Sequence, residues 1–231
     1  MKHLLYTIVL FVVFSCGNEK SVLLPEIQNA EITEIRDVSP AYLFYDETKP
    51  DSLELNRSNL IITTNWLVNV DKRLTLKQAI PSIIKLQDKK RNSGHKNKSA
   101  RNYYTCNDTS IKNLGFIDFT DVVYRTYLDK DEGIIPTNDA LHVSLIIKNL
   151  DEIFISSYFN HNTIKVNDVV SILKEELNSL DLDDPDHGAD FISLNLSFNR
   201  NLSFQDYINI KSKLVNFEME NVIVRNIEYI Y

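Results

Sequence analysis

Two stretches of the chain carry the same order of local patterns, and this repetition constrains the fold more than any single motif. In each, short β-branched or aromatic runs lead into a segment with apolar residues at helical spacing. In the first half, residues 41–45, 60–64 and 66–70 are such runs, and they predict strands with a hairpin near Asn65. Thr75 then resembles the N-cap of a helix.

The second half gives the same kinds of element. Strands are predicted at residues 141–150 and 153–159, followed by a turn at 160–163, a helix at 167–180, a strand at 192–199, a helix at 203–217 and a last strand at 221–229. A Phe-x-Asp pattern at Phe119 and Phe204 predicts a helix start in each half. We therefore expect an α+β protein with mixed β-sheets and helices packed on one face, divided into units at 40–138 and 139–231.

The two halves also align residue by residue, which indicates a tandem duplication. Apolar positions of the first half fall opposite apolar positions of the second at a constant offset: Leu74, Leu76, Ala79, Ile80 and Ile83 against Ile164, Val166, Val169, Val170 and Leu173. The alternative is one complete unit joined to a divergent relative.

The first sixteen residues have the pattern of an export signal. A short basic start precedes an almost wholly apolar run at 4–14, which is shorter than the ~20 residues that a membrane-spanning helix needs. Val13-Phe14-Ser15-Cys16 resembles a bacterial lipobox, in which the cysteine is diacylated. We expect a signal peptide at 1–15, lipidation of Cys16 and a polar tether at 16–39. An ordinary signal peptide or an uncleaved anchor is the alternative.

Charge and cysteine content limit the classes of partner. The net charge of −7 argues against nucleic acid as a partner, because binding phosphates requires a basic surface. Lipidation of Cys16 leaves Cys106 alone, so no intramolecular disulfide is expected. A lone cysteine on a predicted strand favours a small buried residue over a nucleophile.

Residues 141–231 are predicted to form a strand pair, a helix, a strand, a helix and a strand. This order resembles the periplasmic domain of the ExbD/TolR proteins, which belong to proton-driven envelope machines. The segments that carry the resemblance are Ile192-Ser193-Leu194-Asn195-Leu196, Leu202-Ser203-Phe204 and Val222-Ile223-Val224. A weaker copy covers residues 41–128. Val22-Leu23-Leu24-Pro25-Glu26 is similar to the Leu-Pro-Glu segment that follows the membrane helix in that family.

The chain departs from the family at two positions. The family's membrane helix carries a proton-accepting Asp, whereas nothing ionisable lies within residues 4–14. The family's strand usually ends in an acidic residue, whereas Ser197-Phe198-Asn199 stands here. The resemblance therefore implies a fold and an envelope setting, without proton transport, and no functional residue of the family carries over.

Motifs of catalysis and metal binding do not occur in the sequence. The glycines are too scattered for a phosphate-binding loop, and neither Gly-x-Ser-x-Gly nor His-Glu-x-x-His is present. Residues 181–190 are acidic, and a calcium site would use Asp181, Asp183, Asp186 and Asp190. However, Pro185 interrupts this stretch, which favours a solvated loop. We expect no metal, no cofactor and no enzymatic activity.

One basic cluster stands out in this acidic chain. It comprises Lys89, Lys90, Arg91, Lys96, Lys98 and Arg101, with Tyr103 beside it. Such a cluster can dock on an anionic envelope polymer or an acidic protein. The alternative is an exposed loop that only improves solubility.

The prediction is a non-catalytic envelope lipoprotein that acts as a binding or scaffold module. It would be held at a membrane by its lipid, on the periplasmic or surface face, as an accessory to an ExbD/TolR-type energy-transducing or biopolymer transport system, with another envelope protein as partner or as a homodimer. One alternative is a peptidoglycan- or polysaccharide-binding protein. Another is a hydrolase of an envelope polymer that uses two facing carboxylates.

Overall fold

The computed structural model describes residues 20–95, 97–126, 139–156, 161–182 and 188–231, without the side chains of residues 161 and 162. These residues form two mixed β-sheets and three helices, which confirms the predicted α+β class. The elements are β1 Glu26–Ile27, β2 Val38–Tyr45, β3 Leu53–Asn56, β4 Asn65–Val70, α1 Leu76–Arg91, β5 Asn102–Asp108, β6 Asn113–Asp118, β7 Val123–Thr126, β8 Ala140–Asn149, β9 Glu152–Ser156, β10 His161–Ile164, α2 Val169–Asn178, β11 Phe191–Phe198, α3 Phe204–Leu214 and β12 Val222–Ile230.

The first unit is the sheet β3-β2-β4-β5-β6, with β1 paired to the second half of β5 and α1 packed on one face. The predicted strand at 60–64 and the hairpin near Asn65 are wrong. β4 runs parallel to β2, and the hairpin partner of β2 is β3. Residues 61–64 form a turn instead, because the Ile61 carbonyl accepts hydrogen bonds from Thr64 Oγ1 at 3.0 Å and Trp66 Nε1 at 2.7 Å.

The second unit is the sheet β10-β9-β8-β11-β12-β7, with α2 following β10 and α3 connecting β11 to β12. Its predicted strands and helices are present among the described residues, and the described part of the predicted turn at 160–163 belongs to the strand β10. Residues 157–160 lie outside the described part of the chain. Phe119 does not open a helix: a turn follows it, and Val123–Thr126 then pairs with the edge of the second sheet. Residues of the first half thus complete the second sheet, so the two units are interleaved near the predicted boundary.

Residues 20–39 do not form the predicted free tether. The Pro25 carbonyl accepts a hydrogen bond from the Asn107 amide at 2.8 Å, and β1 adds to the first sheet beside β5. The Ile32 carbonyl accepts from the Phe116 amide at 2.9 Å. The segment pairs because apolar side chains such as Ile27, which is 6% exposed, fill the core. Residues 1–15 and Cys16 lie outside the described part of the chain. Within that part, no helix combines the length and apolarity needed to cross a bilayer.

The structure relates the two units in a register different from the predicted one. α1 joins the parallel strands β4 and β5, and α3 joins the parallel strands β11 and β12, so α1 corresponds to α3. The equivalent sequences are Leu74-Thr75-Leu76 and Leu202-Ser203-Phe204. α2 has no counterpart in the first unit, which makes the alignment of residues 74–83 with 164–173 wrong.

The two equivalent helix starts hydrogen-bond each other reciprocally. The Leu76 amide donates to the Leu202 carbonyl at 3.0 Å, and the Phe204 amide donates to the Leu74 carbonyl at 2.6 Å. Thr75 and Ser203 form an isolated antiparallel bridge between these bonds. A contact in which the same patch of each unit meets its equivalent has the geometry of a two-fold symmetric dimer, here within one chain.

Candidate functional site

The predicted basic cluster is not one continuous cationic surface. Lys89, Arg91 and Lys98 are exposed, and Arg91 forms an ion pair with Asp88 at 3.9 Å. Lys90 is buried, and Arg101 is bound to two carboxylates. Lys96 lies outside the described residues. Because two of its cations are committed to internal partners, the cluster offers less free charge than the sequence suggests.

Lys90 has a structural role in the first unit. Its Nζ donates to the Thr64 carbonyl at 3.2 Å, the Arg101 carbonyl at 3.0 Å and Asn102 Oδ1 at 2.9 Å, and it lies 4.9 Å from the ring centroid of Trp66. Burial lowers the pKa of Lys90 to about 8. All three donors of the ammonium group are used to join the end of α1 to β4 and β5.

Lys90 gives the stability of the protein a specific pH dependence. The folded-state pKa of about 8 lies below the usual lysine pKa of 10.5, so between these values the unfolded chain binds more protons. The free energy of unfolding of the wild type should therefore rise with pH relative to Lys90→Met, by at most about 1.4 kcal/mol per pH unit. Chemical denaturation at pH values from 7 to about 10 measures this difference.

Lys89→Met is the matched control, because it removes one exposed lysine from the neighbouring position. Its pH profile should run parallel to that of the wild type. If the profiles of Lys90→Met and the wild type were parallel as well, the buried position would have no influence on the titration of Lys90.

Tyr103 and Arg101 lie at the outer face of the first sheet, on the side opposite to α1. The register places Pro40, Leu67 and Tyr103 in one row across β2, β4 and β5, all half-buried. Arg101 binds Asp118 at 2.6 Å and Asp121 at 3.2 Å beside this row. The arginine therefore fixes the rim of the face, and the face itself is apolar and aromatic.

A buried hydrogen-bond chain connects the two units. Tyr104 Oη lies 2.6 Å from Tyr124 Oη, which lies 3.0 Å from Tyr207 Oη. Tyr207 donates to Glu228 Oε2 at 2.8 Å, and Glu228 Oε1 accepts from Lys211 Nζ at 2.5 Å. Tyr104 belongs to β5 of the first sheet, and the other four residues belong to elements of the second unit, so the chain spans the interface.

The hydrogen bonds from Tyr104 to Glu228 are all donated in the same direction. The Glu228 carboxylate only accepts hydrogen bonds, so the Tyr207 hydroxyl donates to it and must accept from Tyr124, which in turn accepts from Tyr104. Burial raises the pKa of all three tyrosines well above the usual value, so each remains a donor. Hydrogen bonds aligned in one direction polarise and strengthen one another. A continuous chain of buried hydrogen bonds therefore joins the two units.

An open groove of about 550 Å³ runs between the two units beside this interface. Residues 26–29 and Thr109 of the first unit form one wall, and α3 of the second unit forms the other. Gln205 connects the two walls of the groove. Its Oε1 accepts from the Glu26 amide at 2.8 Å, and its Nε2 donates to the Glu26 carbonyl at 2.9 Å. The groove exists only because the two units are held together.

The groove presents mainly uncharged hydrogen-bonding groups, with Lys213 and Glu26 as its charged lining residues. The carboxamides of Gln28, Asn29, Asn209 and Asn216 line it, and none of them hydrogen-bonds another residue of the described part of the chain. The Glu26 carboxylate is neutralised by Lys72 at 2.6 Å. Carboxamides both donate and accept, so the groove suits a ligand with alternating donors and acceptors.

Sequence reasoning missed this groove, although part of it is visible in the sequence. Gln205, Asn209, Ser212 and Asn216 recur at helical spacing, which places them on one face of the predicted helix at 203–217. The other wall is formed by residues assigned to a tether. Their position beside α3 follows from the pairing of β1 with β5, which no local pattern reveals.

The remaining sequence predictions concern Cys106 and metal binding. Cys106 is buried, and burial raises the pKa of its thiol, so it has the character of a core residue. No cluster of three or more metal-ligating side chains occurs among the described residues. In the acidic stretch 181–190, the possible calcium ligands Asp183 and Asp186 lie outside the described residues.

The chain was compared with protein-family models, with curated proteins and with solved structures. None of them matches.

Proposed function

We propose that this protein is a non-catalytic binding module of the bacterial cell envelope. Its two α+β units pack against each other and present one groove to a partner. The observation that carries the proposal is the groove between residues 26–29 and α3, whose lining is mainly uncharged and polar. It is built from both units, and its free carboxamides offer a ligand many weak hydrogen bonds without a reactive group.

The buried ionisable side chains support a binding role over a catalytic one. Asp71 is bound by Arg73 at 2.8 Å, Glu228 by Tyr207 and Lys211, and Lys90 by three oxygen atoms. Each of these groups stabilises the fold, and none of them faces the groove. A general acid or base must reach its substrate, so these groups do not supply one.

Lipidation of Cys16 would give this module its location. Two acyl chains hold a protein stably at a membrane. Because residues 20–39 pack on the first unit, the lipid would keep the groove close to the membrane surface. Accessory function in an ExbD/TolR-type system remains the proposal that the family resemblance implies.

Site-specific photo-crosslinking in intact cells tests the proposal. A benzophenone amino acid replaces Asn216, which is exposed and lines the groove. After irradiation, affinity purification and mass spectrometry should recover a covalent adduct with an envelope protein. The adduct should weaken in Cys16→Ser, which removes the proposed lipid site.

Asn178 provides the matched control position, since it is an exposed asparagine at the end of α2. The same photoreactive residue there should give no such adduct. Equal adducts from both positions, or none from position 216, would contradict a binding function at the groove.

A second candidate is binding of a cell-wall glycan at the outer face of the first sheet. Tyr42 and Phe44 stack in parallel there, with ring centroids 5.8 Å apart and planes 17° apart, and both rings are half-exposed. Aromatic faces on a sheet suit the apolar faces of sugar rings. Retention of the wild type on insoluble peptidoglycan, lost in Tyr42→Ala, would favour this candidate.

A further inference from the structure

We propose that the groove binds an extended, uncharged peptide segment of its partner through the main chain of that segment. The inference rests on the proposed binding function and names the ligand class of the same site. Three features of the groove carry it: an internal example of main-chain recognition, the spacing of the carboxamides along α3, and the scarcity of charge.

The internal example is the contact between Gln205 and Glu26. The carboxamide of Gln205 accepts from the backbone amide and donates to the backbone carbonyl of one extended residue, at 2.8 and 2.9 Å. The side chain of Glu26 takes no part in this contact, because its carboxylate binds Lys72. α3 therefore already recognises one residue of an extended chain by its main chain alone.

The spacing along α3 extends this mode of recognition into the groove. Asn209 follows Gln205 by four residues, which is about 6 Å along a helix. Residues that face the same side of an extended chain are two apart, or about 6.6 Å. An extended segment that lay along α3 in the groove would therefore meet successive turns of the helix, with one backbone amide and one carbonyl opposite Asn209.

The identity of Asn209 is itself informative. Asparagine is less favourable than alanine inside a helix by up to about 0.7 kcal/mol. Asn209 lies within α3, half-exposed at the groove, and its carboxamide has no partner among the described residues. The side chain therefore contributes nothing visible to the fold, and its carboxamide is available to a ligand.

The chemistry of the walls favours a peptide over a glycan. Sugar-binding sites commonly use an aromatic face, and none of the described residues that line this groove is aromatic. Among these lining residues Lys213 is the one cation, and the one carboxylate, that of Glu26, is paired with Lys72. A strongly charged segment would leave its charges without partners, so the fitting ligand is rich in small polar or apolar residues.

The test uses a defined probe: an acetylated and amidated heptapeptide of alternating serine and threonine. Added to the ¹⁵N-labelled protein, it should shift the side-chain amide signals of Asn209 and Asn216 saturably. Asn209→Ala should weaken binding about tenfold, which corresponds to the loss of one or two hydrogen bonds. Asn178→Ala should leave the affinity unchanged.

A depsipeptide version of the probe, in which alternate amides are esters, tests main-chain recognition directly. It keeps the side chains and removes amide donors, so it should bind more weakly than the peptide. The proposal is overturned if the peptide leaves the two signals unmoved, if the ester analogue binds equally well, or if a hexamer of N-acetylglucosamine shifts the signals and the peptide does not.

These outcomes are separable from those of the proposed function. A protein adduct from position 216 together with no response to the peptide would leave the groove as a binding site and refute the ligand class. Absence of the adduct together with saturable peptide binding would support the ligand class and refute a stable envelope partner at this groove.

Discussion

Replacing Glu228 by alanine is expected to lower the free energy of unfolding by about 3–5 kcal/mol. Glu228 is 1% exposed and accepts hydrogen bonds from both Tyr207 and Lys211. Its removal leaves the ammonium group of Lys211, whose side chain is 16% exposed, without its counter-ion and ends the tyrosine chain without an acceptor. Chemical denaturation followed by circular dichroism measures the loss.

The chain offers a matched control in a second lysine–glutamate pair. Lys148 binds Glu152 at 2.8 Å, but these side chains are 54% and 34% exposed. Exposed pairs contribute about 0–1 kcal/mol, so Glu152→Ala should have a small effect. Equal losses in Glu152→Ala and Glu228→Ala would show that the buried chain does not hold the units together.

A double variant separates the charge from the packing. Lys211→Met combined with Glu228→Leu removes both ions and keeps apolar volume at the site. Buried ion pairs replaced in this way are often neutral or better, so the double variant should be more stable than Glu228→Ala. A double variant as unstable as the single one would indicate that the hydrogen bond accepted from Tyr207 dominates.

Local patterns predict the secondary structure of this chain better than its pairing. The apolar spacing after Thr75 predicts α1, and the runs at 141–150 and 153–159 predict β8 and β9, because these signals depend on near neighbours. The parallel pairing of β4 with β2 and the addition of β1 to β5 depend on residues far apart in the chain. No local signal distinguishes these from a hairpin and a tether.

The position of Lys90 shows that local patterns are equally limited in predicting the binding site. A count of charges assigns it to an exposed basic cluster, but positions 76, 79, 83, 86 and 90 all fall on one helical stripe, and all are buried. That stripe predicts the direction of the side chain. It does not predict the three oxygen atoms that receive the ammonium group, since these come from Thr64 just before β4, Arg101 just before β5 and Asn102 at the start of β5.

The units are expected to unfold as one body, and Phe204→Ala tests this. Phe204 is fully buried in α3, and its ring meets that of Tyr104 of the first sheet edge to face, with centroids 5.1 Å apart. Truncation of a buried phenylalanine costs about 3–5 kcal/mol. Trp66, the one tryptophan, reports on the first unit alone. If the units unfold together, a mutation in the second unit should therefore shift the unfolding transition that Trp66 fluorescence reports.

The test is whether two spectroscopic probes report the same unfolding transition. In Phe204→Ala, the Trp66 fluorescence and far-ultraviolet circular dichroism transitions should move together to lower denaturant. Val215→Ala, one residue beyond α3 and 52% exposed, should change the free energy of unfolding by less than about 0.5 kcal/mol. If the dichroism curve split into two steps while the Trp66 transition stayed in place, the units would be independent. The groove between them would then lack the rigid walls that main-chain recognition requires.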